Sequence, residues 1–470
     1  MAATAQGAAR RARVVVTGAG FGGLFAARAL AGAPVDLTIV DRTNHHLFQP
    51  LLYQVAVGVL SPEDIAVPIR SILRRRRDVR VLMAEIAGID LERRVVRLTP
   101  DASEIPYDYL VLALGARHAY FGHEGWEARA PGLKTLADAL GIRHRLLGAY
   151  EAAERVRADG VDLGSASEPV FVVVGGGPTG VELAGALAGI ARRVLVREVR
   201  AVRPERTRVV LAEAGPRLLP ALAPSLSEYT RRRLEALGVE VRLNCAVTAL
   251  DDAGVTVGTE RLPGAIAFWA AGNRASPVGS ALGVATAAGG RVSVLPDLSL
   301  PGHPEVFVVG DLAGATDERG HLLPALAPVA QQQGRHAAAM IRRRLAGRPT
   351  LPFRYRDHGQ MATLGRSAAV VQIGPLHVVG LIGWLFWLVV HIATLIGFEN
   401  RLLVLVHWAA AYWFDRPSAR ILFDFDGTPP AAAGGAGAGP VVPAAPAGDS
   451  RATPRRAPRG RAQSPSGVGR

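Results

Sequence analysis

Cysteine is nearly absent from this 470-residue chain, with Cys245 the only one. A lone thiol excludes an internal disulfide, a cysteine-ligated metal cluster and a redox-active thiol pair, and it suits a reducing compartment. Lysine is as scarce: Lys134 stands alone among 54 basic residues, and arginine supplies the rest. Set against 40 acidic residues, these give a formal charge of +14. The arginines are spread along the chain, so the bias is compositional and builds no specific nucleic-acid face. What it favours is attraction to an anionic surface such as a lipid leaflet. Residues 1–13 hold no apolar run, so no signal peptide is expected there. The length leaves room for two or three domains.

What the chain has in its place is glycine at fixed spacing. Residues 14–23 read VVVTGAGFGG: a short β-branched strand runs into Gly18, Gly20 and Gly23, with a helix predicted over 24–30. In such a turn the first glycine permits the bend, the second admits a pyrophosphate, and the third lets helix and strand close. The helix start then offers free N–H groups to the phosphates. A second strand, 36–40, ends in Asp41, where a carboxylate can accept from a ribose hydroxyl.

The pattern recurs at 171–185, FVVVGGGPTGVELAG, with Gly175, Gly177 and Gly180. Its next strand, 207–212, ends in Glu213 after an arginine-rich insertion over 191–206. Two complete units predict an α/β fold with two Rossmann-like domains, one dinucleotide the electron donor and the other a resident cofactor. A strand over 107–116 is closed by Gly115, and a later one, from 306, ends in Gly310-Asp311 beyond the second unit. A carboxylate there suits the ribityl and phosphate linkage of a flavin. That assigns FAD to a discontinuous first unit and a nicotinamide nucleotide to the inserted second, an ordinary helix N-cap being the alternative for Asp311. Glu213 favours NADH, because a 2′-phosphate would meet a like charge.

Other segments are less distinctive. Residues 42–58 are too irregular for a plain crossover helix, and the adjacent His45 and His46 cannot share a face, so packing is expected there and no metal site. A capped helix with an arginine-rich end is predicted over 61–77, strands over 81–85 and 95–98, a helix over 133–157 and a loop over 158–168.

Taken together, GAGFGGL, NHHLFQPLLYQVA, YDYLVLALGA, GGGPTGVELAG, EAGPRLLP, FWAAGNRASP, VFVVGDLA, APVAQQQG and FRYRDHGQMATLGR resemble the type II NADH dehydrogenases, the NADH:quinone oxidoreductases among two-dinucleotide flavoproteins. The resemblance covers roughly residues 13–415. It implies that Gly18, Gly20, Gly23, Asp41 and Asp311 hold FAD, and that Gly175, Gly177, Gly180, Glu182, Glu213 and Gly272 line the NADH site. The family's Ala-Gln-x-x-x-Gln pattern places a quinone near Ala330, Gln332 and Gln333, with Pro328 where the first glutamine would stand. A glutamine amide can donate to a quinone carbonyl; a solvated helix start is the alternative reading of these residues. Glu182 tunes the nicotinamide or relays protons, or only complements the helix dipole. With no charged proton pathway in view, electron transfer without ion pumping is expected, at the cytoplasmic face of the cell membrane.

Residues 376–398 contain no Asp, Glu, Lys or Arg, and 402–414 form a second apolar run too short to return across a bilayer. Trp384, Trp387, Trp408, Tyr412 and Trp413 suit headgroup depth, and Arg401 and Arg416 suit anchoring. His377, His391 and His407 disfavour a lipid-facing span. Two helices in the membrane interface are therefore expected, with a single span second and a homodimer face third. The tail from 427 is read as disordered. The expected domains are 13–130 with 289–348 for FAD, 168–288 for NADH, 349–425 for the membrane-associated helical module, and the tail 427–470. The competing functions are a soluble-acceptor reductase and a non-catalytic flavin scaffold; a disulfide or sulfide oxidoreductase is disfavoured by the missing cysteine pair.

Overall fold

The computed structural model describes residues 10–76, 78–158, 168–396, 398–413 and 419–422; the expected tail and nearly all of the 158–168 loop lie outside them. The strand Ala12–Thr17 pairs in parallel with Val35–Asp41 on one side and Tyr109–Leu112 on the other. The sheet continues to Val79–Met83 beyond the former and to His303–Val308 beyond the latter. The short strand Ser299–Leu300 closes it as an antiparallel edge. The inner strands carry buried apolar runs over 14–16, 110–112 and 306–308, as a parallel sheet covered on both faces requires, while the strand Val79–Met83 stays partly exposed.

A second, four-stranded parallel sheet has the order Val239–Arg242, Arg208–Ala212, Val170–Val174, Ile266–Trp269. Each sheet is followed through the same plan. An antiparallel three-stranded meander, Glu85–Asp90 to Glu104–Pro106 in one and Val247–Asp251 to Glu260–Pro263 in the other, precedes the fourth parallel strand. The segments after these fourth strands, Ala116–His118 and Asn273–Ala275, then pair with each other.

The predicted helix over 61–77 is broken. Ser61 and Asp64 do form a capping box, but the helix Pro62–Ile65 gives way to the strand Ala66–Pro68, which pairs with His45–Leu47 before a short helix, Ile69–Ile72. Pro68 disfavours helix at the residue before it, and a strand partner was at hand. The apolar run from 376 also divides. Leu376–Val379 is the last strand of a three-stranded sheet with Gln360–Thr363 and Ala369–Ile373, and only Gly380–Thr394 is helical. A second helix, Phe398–Trp413, follows, and among the described residues no helix is long and apolar enough to cross a membrane. One face of this pair is buried through Gly383, Trp387, Val404 and Trp408. The other is bare: Ile382 is 71% exposed and Val389 63%.

Candidate functional site

Both glycine turns carry out their steric task in the same way. Gly18 and Gly175 sit at φ +89° and +108°, where L side chains are strained. Their amides donate to Val40 O and Ala212 O at 2.7 and 2.8 Å, locking the turn to the neighbouring strand. A Cβ on Gly23 would collide with Gly18 O, and one on Gly180 with Gly175 O. By contrast a Cβ on Gly20 or Gly177 would meet nothing within 4 Å, so those two backbones face open space. Each of the two is also the N-cap of its helix, Phe21–Ala29 and Pro178–Arg193, and neither contributes a side-chain cap, which leaves first-turn N–H groups for a phosphate.

The acids at the second strands match equally closely. Asp41 Oδ2 accepts from Ala19 N–H at 2.6 Å and Oδ1 from Thr43 N–H at 2.7 Å. Glu213 Oε2 accepts from Gly176 N–H at 2.5 Å and Oε1 from Gly215 N–H at 2.6 Å. In both units the acid grips the residue after the first glycine and the residue two beyond itself. A carboxylate has about four lone-pair sites, so each keeps acceptor capacity for a ribose. Gly115 and Gly272, both in the left-handed region, follow the fourth parallel strand of their units.

The first cradle has further walls. His46 is buried, its Nδ1 2.8 Å from Ala19 O and its ring edge-on to Phe21, while its Nε2 has no partner. His45 instead bonds Asn44 Oδ1, so the two histidines serve packing and hydrogen bonding. Asp311 lies in the short helical turn Gly310–Leu312 after His303–Val308. Buried Gln333 holds that turn, accepting from Gly310 N–H at 2.7 Å. Ala330 packs against Gly310, whose Cβ would lie 3.5 Å from it. Lys134 responds to the charges of Asp311 and Asp138, although burial holds its ammonium below the usual lysine value. The sequence marks this residue only as the single lysine.

Gln332 pairs with the backbone of Arg356, Nε2 donating at 2.9 Å and Oε1 accepting at 3.0 Å. One Nε2 hydrogen remains for a quinone carbonyl. Glu182, on the second turn of Pro178–Arg193, lies deep in the fold, though the residue keeps a minority of its surface accessible. Burial pushes its carboxyl up to about 8, opposed by the amide and hydroxyl of Thr363, which reach Oε1 at 3.1 and 3.5 Å. Thr363 comes from the late sheet, and no periodicity or motif spacing links it to Glu182. The helix approaches that sheet closely because Gly185 has no side chain: a Cβ there would be 2.9 Å from Gly365 N.

The open cradles, the uncapped helix starts and the orphaned His46 Nε2 fit a flavin dinucleotide in the first unit and a nicotinamide dinucleotide in the second. Two such units in one chain define a two-dinucleotide oxidoreductase, and the family model described as pyridine nucleotide-disulphide oxidoreductase matches residues 12–334. The chain is 44% identical over 418 residues to a type II NADH:quinone oxidoreductase, NdhA, of Mycobacterium tuberculosis, covering 86% of this chain and 87% of that one. It is 29% identical to an internal alternative NAD(P)H-ubiquinone oxidoreductase of Arabidopsis thaliana, covering 87% and 86%. The solved structure of NDH2 from Plasmodium falciparum with NADH shares the fold at a TM-score of 0.78 and 19% identity, covering 88% of this chain and all of that one. The chain belongs to the type II NADH:quinone oxidoreductases. The disulphide in the broader family's description has no counterpart here, since Cys245 is the only cysteine and is free.

Proposed function

We propose that this chain oxidises NADH at the second cradle and reduces a quinone beside the first, with FAD resident between them and no ion pumped. The observation that carries this is the duplicated acid-and-glycine geometry, Asp41 on Ala19 and Thr43, Glu213 on Gly176 and Gly215. FAD, when bound, supplies the two-electron exchange between nicotinamide and quinone. The residues bind, orient and shield. Gly18, Gly20, Gly23, Asp41, Gly115 and Asp311 hold FAD, and Gly175, Gly177, Gly180, Glu213 and Gly272 hold NADH. Gln333 presents Asp311, and Ala330 and Gln332 border the quinone. Glu182, its carboxyl raised by burial and held by Thr363, serves as the site's acid.

On this reading 13–130 and 289–348 form the FAD domain around an inserted 168–288 NADH domain, and 349–425 is the membrane-associated part. The exposed apolar faces of Gly380–Thr394 and Phe398–Trp413 rest on lipid at the cytoplasmic face. Beside them a cleft of about 550 Å³ is lined by Arg28, Arg335 and Arg401 with no acidic residue, which suits anionic headgroups. A homodimer through the same faces is the alternative cover. The test is anaerobic addition of NADH to the flavin-loaded protein, then of a short-chain quinone. Loss and return of the flavin band are expected; a band that NADH leaves unchanged, or quinone does not restore, refutes the assignment.

A further inference from the structure

A line of buried polar side chains crosses the molecule from the last helix to Glu182. Trp408, Gln54, Tyr53 and Thr363 are all buried, and they come from three separate elements, Phe398–Trp413, Leu52–Ala56 and Gln360–Thr363. Trp408 Nε1–H donates to Gln54 Oε1 at 2.6 Å, and Gln54 Nε2–H donates to the Tyr53 hydroxyl at 3.0 Å. Tyr53 Oη is 2.9 Å from Thr363 Oγ1, which is 3.5 Å from Glu182 Oε1.

The direction of the first two links is determined. An indole N–H can only donate, so the Gln54 amide must turn its oxygen to Trp408 and its nitrogen to Tyr53. Tyr53 accepts that bond, and either its hydroxyl or that of Thr363 can donate across the next link. Thr363 reaches the Glu182 carboxyl with its amide and its hydroxyl. In the arrangement where Tyr53 donates to Thr363, every link donates toward Glu182, and successive links polarise one another in a low-dielectric interior.

The geometry points to Trp408 as a positioning residue for Glu182, acting through Gln54, Tyr53 and Thr363, so that seating of the lipid-facing helix and the ionisation of the site's acid are one event. This rests on the reading of Glu182 as the site's acid. The same helix shows Leu402, Leu403, Leu405 and Val406 to the outside, while Val404 and Trp408 face in. Displacing the helix would withdraw the first donor, and Glu182 would hold its proton to higher pH. The groups facing Glu182 from neighbouring elements are Thr363 and, behind it, the Tyr53 phenol; burial and the two Thr363 bonds alone move its carboxyl. At the far end lie His391, stacked on Trp387, and the His407–Asp64 pair at 2.9 Å.

The test is a pH series on flavin-loaded protein. Reoxidation of the flavin band by a short-chain quinone is followed in stopped flow, and the carboxyl stretch by difference infrared spectroscopy, for the wild type, Glu182→Gln, Tyr53→Phe and W408F. W408F keeps the aromatic packing on Trp387 and removes the N–H. Glu182→Gln abolishes one carboxyl titration. Tyr53→Phe moves its midpoint up by about one pH unit and W408F by about half a unit. Midpoints unmoved in both, with the titration absent in Glu182→Gln, overturn the coupling and leave Glu182 in place. A titration that survives Glu182→Gln overturns the reading of Glu182 and the coupling with it. Should W408F not retain flavin, Gln54→Met breaks the same link without altering the last helix; an upward shift supports the coupling, and an unmoved midpoint overturns it.

Discussion

The two cradles are built alike and finished differently. Strand, glycine turn, helix, acid-tipped strand, a third strand, meander and fourth strand recur in the same order, down to which backbone amides donate to the acids. The first sheet then gains what the second lacks: a strand from far along the chain, His303–Val308, with Asp311 at its end and Gln333 bracing the turn. The second keeps to one continuous stretch, with Glu182 on its helix held by Thr363 of the late sheet. A ligand held from two distant parts of a chain is hard to release, because both must part at once. One held by a single local unit exchanges readily. The difference matches a resident cofactor on one side and a substrate that comes and goes on the other.

The severest way to break that comparison is at the turns. Gly18→Ala places a Cβ against Ala113 O at positive φ, and Gly175→Ala one 2.9 Å from Ala270. Gly18→Ala is expected to yield protein with less than roughly a tenth of the flavin, measured by absorbance after purification. Gly175→Ala is expected to stay yellow and lose NADH bleaching instead. Flavin loss in both would erase the division of labour.

Next in size, Glu213→Ala removes the acceptor for two backbone amides and, on the proposed reading, for a ribose. KM for NADH should rise about tenfold, and the preference over NADPH should narrow, as initial rates with each nucleotide will show. Asp41→Ala should weaken FAD retention and leave KM for NADH near its starting value.

Glu182 sharpens the comparison through pH. Its folded carboxyl is raised to about 8 from an ordinary 4.5, so its stabilisation is complete below about 4.5 and is lost as pH rises through about 8. Melting temperature should therefore fall across that window by a few degrees more in the wild type than in Glu182→Gln, measured by flavin fluorescence. The first unit has the opposite slope at His118. Burial, aided by Lys134, pushes that imidazole down to about 4, so its contribution is present above about 6.5 and lost as pH falls toward 4. His118→Gln should flatten that acid limb slightly.

The smallest expected effect on the chemistry is at the periphery. Ile382→Glu with Val389→Glu should reduce co-sedimentation with anionic vesicles severalfold while leaving NADH bleaching unaltered, because neither side chain faces a cradle. Bleaching lost together with vesicle binding would mean that these faces pack within the enzyme rather than on lipid.

The cradles were legible in the sequence because glycine spacing and an acid at a strand end are local constraints, satisfied within a single βαβ unit. The helix expected over 61–77 was not, since the hydrophobic pattern there cannot report that His45–Leu47 lies waiting for a strand partner. The 23-residue apolar run at 376–398 likewise hid a strand, because an edge in a small sheet and the start of an apolar helix look alike in composition.

What the sequence determined alone was the presence of two nucleotide-binding turns, their acids, and an uncharged apolar stretch over 376–398. Each depends on backbone conformation or transfer from water over a few neighbouring residues. Only the tertiary structure decided that Gln332 holds the Arg356 backbone, that Gln333 braces Asp311, and that Glu182 meets Thr363 and, through it, Trp408. Those meetings join residues up to hundreds of positions apart, and their partners are set by which elements pack together, a quantity that no local pattern carries.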